Sequence, residues 1–128
     1  MSENVFEVEN LGLYYLGRFG DKTHAVTDVS FSMKKGEILG IAGESGCGKS
    51  TLVSGLMGMC IPPLYPEKGD VRVRVGDHME SLMHRKLEDV RANVLAQQVS
   101  MIPQGAFNAL NPVCRCERRL CSFHSSGR

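Results

Sequence analysis

The sequence predicts an α/β fold that opens with an antiparallel β subdomain, and three observations predict it. Gly43-Glu44-Ser45-Gly46-Cys47-Gly48-Lys49-Ser50 fits the phosphate-binding pattern GxxxxGK[ST] at every required position, and Thr51 follows at once. A short apolar run stands before this glycine loop, and apolar residues recur at helical spacing after it, so strand, loop and helix come in the expected order. Nearer the N-terminus, apolar and polar residues alternate with the period of two that marks a half-buried strand.

Taken in order, Val5-Phe6-Glu7-Val8 and residues 11–15 read as extended segments. Val29, Phe31 and Met33 alternate with Ser30 and Ser32 up to the turn Lys34-Lys35-Gly36, which completes an antiparallel start. Residues 37–42, Glu-Ile-Leu-Gly-Ile-Ala, read as a short buried strand, and residues 49–59 as a helix with Leu52, Val53, Leu56 and Met57 available for packing. Pro62-Pro63-Leu64-Tyr65-Pro66 cannot continue that helix. Val71-Arg72-Val73-Arg74-Val75 alternates strictly, a strand with its arginines towards solvent. Met83, Leu87, Val90 and Val94 then recur at helical spacing, and residues 99–102 read as another short strand leading into Pro103-Gln104.

The loop's composition follows from its chemistry. A triphosphate needs many donors close together, and a chain without bulky side chains lets backbone N–H groups wrap around it; Gly43, Gly46 and Gly48 supply that freedom. The loop opens onto a helix N-terminus, where unpaired amides and the helix dipole favour anions. Lys49 is placed to reach the β- and γ-phosphates, the Ser50 hydroxyl to ligate Mg²⁺, and Thr51 to meet the α-phosphate side. Cys47 stands inside the loop, so alkylation of its thiol is expected to block nucleotide binding.

Composition bounds the class. With 128 residues, 42% hydrophobic and 23% charged, the chain has enough apolar residues for one core, and a net charge of +1 offers no surface for a polyanion, so no nucleic-acid partner is expected. No stretch approaches a membrane span, and Met1-Ser2-Glu3-Asn4 lacks the character of a signal peptide, so a cytoplasmic chain is expected. Cysteines at 47, 60, 114, 116 and 121 make no secreted disulfide framework, so reduced thiols are expected.

A phosphate loop alone does not choose among nucleotide-binding enzymes, but its flanks do. Residues 25–37, running into residues 40–51, resemble the ATP-binding subunits of ABC transporters, and within them the oligopeptide and dipeptide importers; residues 100–113 resemble that subgroup's Q-loop and the Leu-Asn-Pro segment after it. The resemblance covers residues 5–113 and implies a P-loop NTPase core, the N-terminal half of an ABC ATPase domain. It implies ATP and Mg²⁺ as ligands, with Gln104 in the Q-loop role beside Mg²⁺ and the attacking water, and Tyr15 as the aromatic that stacks on adenine, Tyr14 being the adjacent candidate. It implies a second ATP-binding subunit, transmembrane permease subunits and, indirectly, a solute-binding protein as partners, with the chain peripheral on the cytoplasmic face of the membrane.

Hydrolysis in that family also uses a Leu-Ser-Gly-Gly-Gln-like signature, an acidic pair ending an apolar strand, and a switch histidine, and none stands in these 128 residues. Binding is therefore the expected property, with slow turnover at most. After Val113 the composition turns to arginine, cysteine and serine, so residues 114–128 read as an unmatched tail, as left by a frameshift or truncation. Cys114, Cys116, Cys121 and His124 are a zinc-ligand set by type, but Cys-x-Cys departs from the usual knuckle spacing. Three readings stay open: a transporter ATPase subunit, a non-hydrolysing nucleotide-binding fragment, and a non-functional product of a broken gene.

Overall fold

The structure, a computed structural model, describes residues 3–94 and 97–105. The Leu-Asn-Pro segment at 110–112 and the tail at 114–128, with Cys114, Cys116, Cys121 and His124, lie outside the described residues.

Two long strands dominate: β1, Asn4–Leu16, and β2, Lys22–Lys34, joined by a short turn. They are followed by helix α1, Lys49–Leu56, strands β3, Leu64–Val75, and β4, His78–Ser81, and helix α2, Leu87–Asn93. The strands form one sheet in the order β2-β1-β3-β4, every neighbouring pair antiparallel. β2 and β3 flank β1 and so run parallel to each other; Lys34 lies opposite Asn4, whereas Leu64 lies opposite Tyr15. The chain between them, with the glycine loop and α1, must therefore cross the sheet from one end of β1 to the other, as any connection of parallel strands must.

The two extended segments read at the N-terminus are one strand with a bulge between them. Pairing shifts register between Val8 and Leu11, and the extra residue keeps Val8, Leu11 and Leu13 all facing the core despite the odd step between the first two. The bulge crosses the sheet: Asn10 on β1, Asp28 on β2 and Gly69 on β3 all take positive φ, at 48°, 50° and 86°. Asn and Asp tolerate that region, and the Asn10 amide is held by an N–H bond to Ser30 Oγ at 2.8 Å. Gly69 has no alternative, since a Cβ there would lie 2.4 Å from the Glu9 carbonyl oxygen.

Val8, Leu11, Leu13, Val26, Leu64, Val71 and Val73 from the sheet meet Leu82, Val90 and Val94 in a single core. Val29, Phe31 and Met33 are half-buried beside it and Ser30 and Ser32 exposed, as their alternation predicts. α1 sits on the sheet by close approach at Gly55, where a Cβ would come 2.5 Å from Leu13 Cδ1.

Four expectations are corrected. Residues 37–42 form no strand, and Ile38 and Ile41 are 96% and 43% exposed. A segment apolar on both faces becomes a buried strand only between neighbours, and the four described strands are all paired elsewhere. Likewise residues 100–102 are irregular, with Ile102 89% exposed, although Val99 is half-buried against the core. The helices are shorter than their spacing suggests: α1 ends at Leu56 with Met57 as its cap, and α2 starts only at Leu87, leaving Met83 outside. Finally, Arg72 and Arg74 do not simply face water. Arg72 is ringed by Glu7, Glu9 and Asp70, and Arg74 Nε donates to the Asn4 carbonyl at 2.8 Å.

Candidate functional site

The glycine loop lies where β2 passes the start of α1. Its backbone is dictated at Gly48, the helix N-cap, which sits at φ 98° with the Ala25 carbonyl 2.7 Å from where a Cβ would stand. Only glycine permits both the left-handed conformation and that approach to β2. Gly46, at φ 80°, makes the preceding bend.

The first bond of α1 runs from the Leu52 N–H to the Gly48 carbonyl at 2.8 Å, and the N-cap carries no side-chain hydrogen bond. The amides of Gly48, Lys49, Ser50 and Thr51 are therefore the four donors that a helix start leaves uncommitted. No acidic residue occupies the first turn to neutralise the dipole. Lys49 folds back over the loop: its Nζ donates to the Gly43 and Glu44 carbonyls, both at 2.5 Å, and lies 3.4 Å from Cys47 Sγ. The ammonium is thus held at the loop by acceptors that a phosphate oxygen could replace.

Beside the loop opens a cavity of about 370 Å³, walled on one side by Gly46, Cys47, Gly48, Ser50 and Thr51 and on the other by Tyr15, Thr23, His24 and Ala25. Tyr15, 37% exposed, closes one end, and its phenol oxygen shares a 2.9 Å hydrogen bond with Thr51 Oγ1 in which either hydroxyl can donate. Tyr14 points to the other face of the sheet, stacked on Tyr65 at 5.9 Å between ring centres and covered by the Lys22 ammonium at 4.7 Å. Of the two tyrosines, the structure brings Tyr15 to the loop. Gln104 is exposed and lines neither cavity bordering the loop. Glu44 and Ser45 are exposed on the loop's crest, and the Glu44 carbonyl accepts from the Cys47 amide at 3.3 Å.

Sequence reading did not place Thr23, His24 and Ala25 at the site. The signal was available in the hairpin, because pairing Leu16 with Lys22 across the turn sets Thr23 opposite Tyr15. Among the described residues no three His, Cys, Asp or Glu side chains gather as metal ligands, and no helix is long and apolar enough to cross a membrane.

Comparison with known proteins adds to this geometry. A profile of the ABC transporter family matches residues 26–122. The chain is similar to the oligopeptide transport ATP-binding protein OppD of Lactococcus lactis, 32% identical over 121 residues that make up 93% of this chain and 33% of that protein. It is 38% identical over 118 residues to the oligopeptide transport ATP-binding protein AppF of Bacillus subtilis, covering 86% of this chain and 32% of that one. With the dipeptide transport ATP-binding protein DppD of Lactococcus lactis it shares 32% identity over 118 residues, 92% of this chain and 32% of the other. The chain spans about a third of the length of these curated relatives.

Proposed function

The chain belongs to the ABC transporter family, and from that premise we propose that it binds ATP with Mg²⁺ as the phosphate-loop part of an ATP-binding subunit, of the kind that energises oligopeptide or dipeptide uptake. The observation that carries this is the cradle at the start of α1: four uncommitted amides, a glycine where a Cβ would strike the Ala25 carbonyl, and a lysine folded onto the loop. That donor set suits an anion with several oxygens, such as a triphosphate.

In this reading the loop amides of residues 43–51 and the Lys49 ammonium hold the phosphates, and the Tyr15 ring takes the base. Ser50 would ligate Mg²⁺ at the loop, and Gln104 is the second candidate ligand, reaching the ion by movement of the exposed segment after Val99. Bound Mg²⁺ supplies neutralisation of charge across the phosphate oxygens. The permease subunits, a second ATP-binding subunit and a position on the cytoplasmic face of the membrane belong to the same proposal, and the relatives' names support its transport and ATP-binding part.

The test is calorimetric titration of ATP and Mg²⁺ into the chain and its Lys49→Ala variant. Binding by the first and none by the second is expected; equal affinity in both would remove the reading. Hydrolysis is a separate matter: these 128 residues hold no acidic pair ending an apolar strand. Tight binding without turnover supports a nucleotide-binding fragment, turnover with membrane partners a working subunit, and flat melts with no shift by ATP a broken product.

A further inference from the structure

We infer that Tyr15 acts on phosphate as well as on base, by positioning the Thr51 hydroxyl; the inference rests on the nucleotide reading above. β1 sends Leu11 and Leu13 into the core and Tyr15 to the end of the same face, where its hydroxyl meets Thr51 Oγ1 at 2.9 Å across 36 residues of sequence. Thr51 lies in the first turn of α1, and its amide is one of the uncommitted donors.

A hydroxyl in a helix has a competing use, since it can turn back onto a carbonyl four residues earlier. Ser54 does so, donating to the Ser50 carbonyl at 3.0 Å. Thr51 instead is held towards the cavity that Gly46, Gly48 and Ser50 line. When Tyr15 donates, Thr51 keeps its own proton for an anion, and a chain of two hydroxyls polarises that donor. Removing the Tyr15 hydroxyl leaves the ring and its stacking surface intact, but frees the Thr51 rotor, whose ordering must then be supplied on binding.

A ring that only stacks on a base has no effect on a ligand without one. The decisive probe is therefore inorganic tripolyphosphate with Mg²⁺, titrated alongside ATP into the full chain and its Tyr15→Phe, Thr51→Ser, Thr51→Val and Tyr15→Phe/Thr51→Val variants. Tyr15→Phe is expected to weaken tripolyphosphate and ATP alike by about fivefold, the scale of one hydrogen bond. Thr51→Ser, which keeps the hydroxyl, should bind near the unaltered level, and in the Thr51→Val background the phenylalanine should change nothing further. Unchanged tripolyphosphate affinity in Tyr15→Phe, or an effect that adds in full to Thr51→Val, overturns the inference while leaving nucleotide binding in place. An unaltered chain that binds neither ligand overturns the nucleotide reading, and this inference with it.

Discussion

Gly48 is the residue of the loop least open to change, because two constraints meet there: φ 98° and the Ala25 carbonyl 2.7 Å from a would-be Cβ. Gly48→Ala is expected to cost about 1–3 kcal/mol and to move the loop off β2, read as a lower melting temperature together with lost ATP binding. Gly69→Ala meets the same pair of obstacles at the sheet bulge, far from the loop. It should destabilise by about 2 kcal/mol or more while leaving the ligand affinity of the folded fraction unchanged. Cys47 is exposed, with its sulfur 3.4 Å from the Lys49 ammonium, whereas Cys60 is half-buried and its thiol is pushed up by burial. A maleimide should therefore label Cys47 ahead of Cys60 and abolish ATP binding, and bound ATP should protect it, as peptide mass spectrometry would report. Full affinity after complete labelling of Cys47 would count against a ligand at the loop. The loop was legible in the sequence because its chemistry is local, whereas the Tyr15–Thr51 hydrogen bond joins residues 36 apart and needs the sheet to exist first.

At the scale of elements, β1 carries the fold, since it pairs along its length with β2 and β3 and supplies three of the buried residues. Leu11→Ala, fully buried at the middle of that strand, should cost about 2–4 kcal/mol in urea unfolding, more than any loop substitution away from glycine. The β3–β4 hairpin adds an acid dependence. A hydrogen bond from His78, aided by the charge of Arg85, holds the Glu80 carboxyl below its ordinary value of 4.5. A depressed carboxylate contributes stability above its unfolded value, and that contribution is lost as pH falls through the folded one. Glu80→Gln should therefore lower stability at neutral pH, where the contribution is fully present, flatten the acid limb below about pH 4.5, and change little at the lowest pH. The alternation at 71–75 and in the N-terminal pair was readable because it is set by one buried face, whereas β4, His78–Ser81, is too short to carry such a pattern and was not read as a strand. Residues 37–42 and 100–102 were misread because their apolar pattern specifies burial without saying between which neighbours, and neither segment joins the sheet of the four described strands.

For the molecule as a whole, those two segments leave Ile38, Ile41, Met101 and Ile102 exposed, close to an apolar groove of about 510 Å³ that includes Leu39, Ile41, Val53 and Val99 in its walls. Apolar surface of this kind in an isolated chain invites association. Ile38→Lys combined with Ile102→Lys is expected to reduce light scattering and dye binding without lowering the melting temperature, since neither side chain lies in the core. The crossing of the sheet between β2 and β3 has a kinetic meaning. The β1–β2 hairpin closes over a turn of a few residues, whereas β3 reaches β1 only after the whole span from 35 to 63 has been laid across the sheet. Loop closure of that length should make β3 join β1 after the hairpin has formed. A ligand gripped at the head of α1 would fasten the middle of the span, so it should slow the release of β3 and deepen hydrogen-exchange protection there, leaving the hairpin amides unchanged.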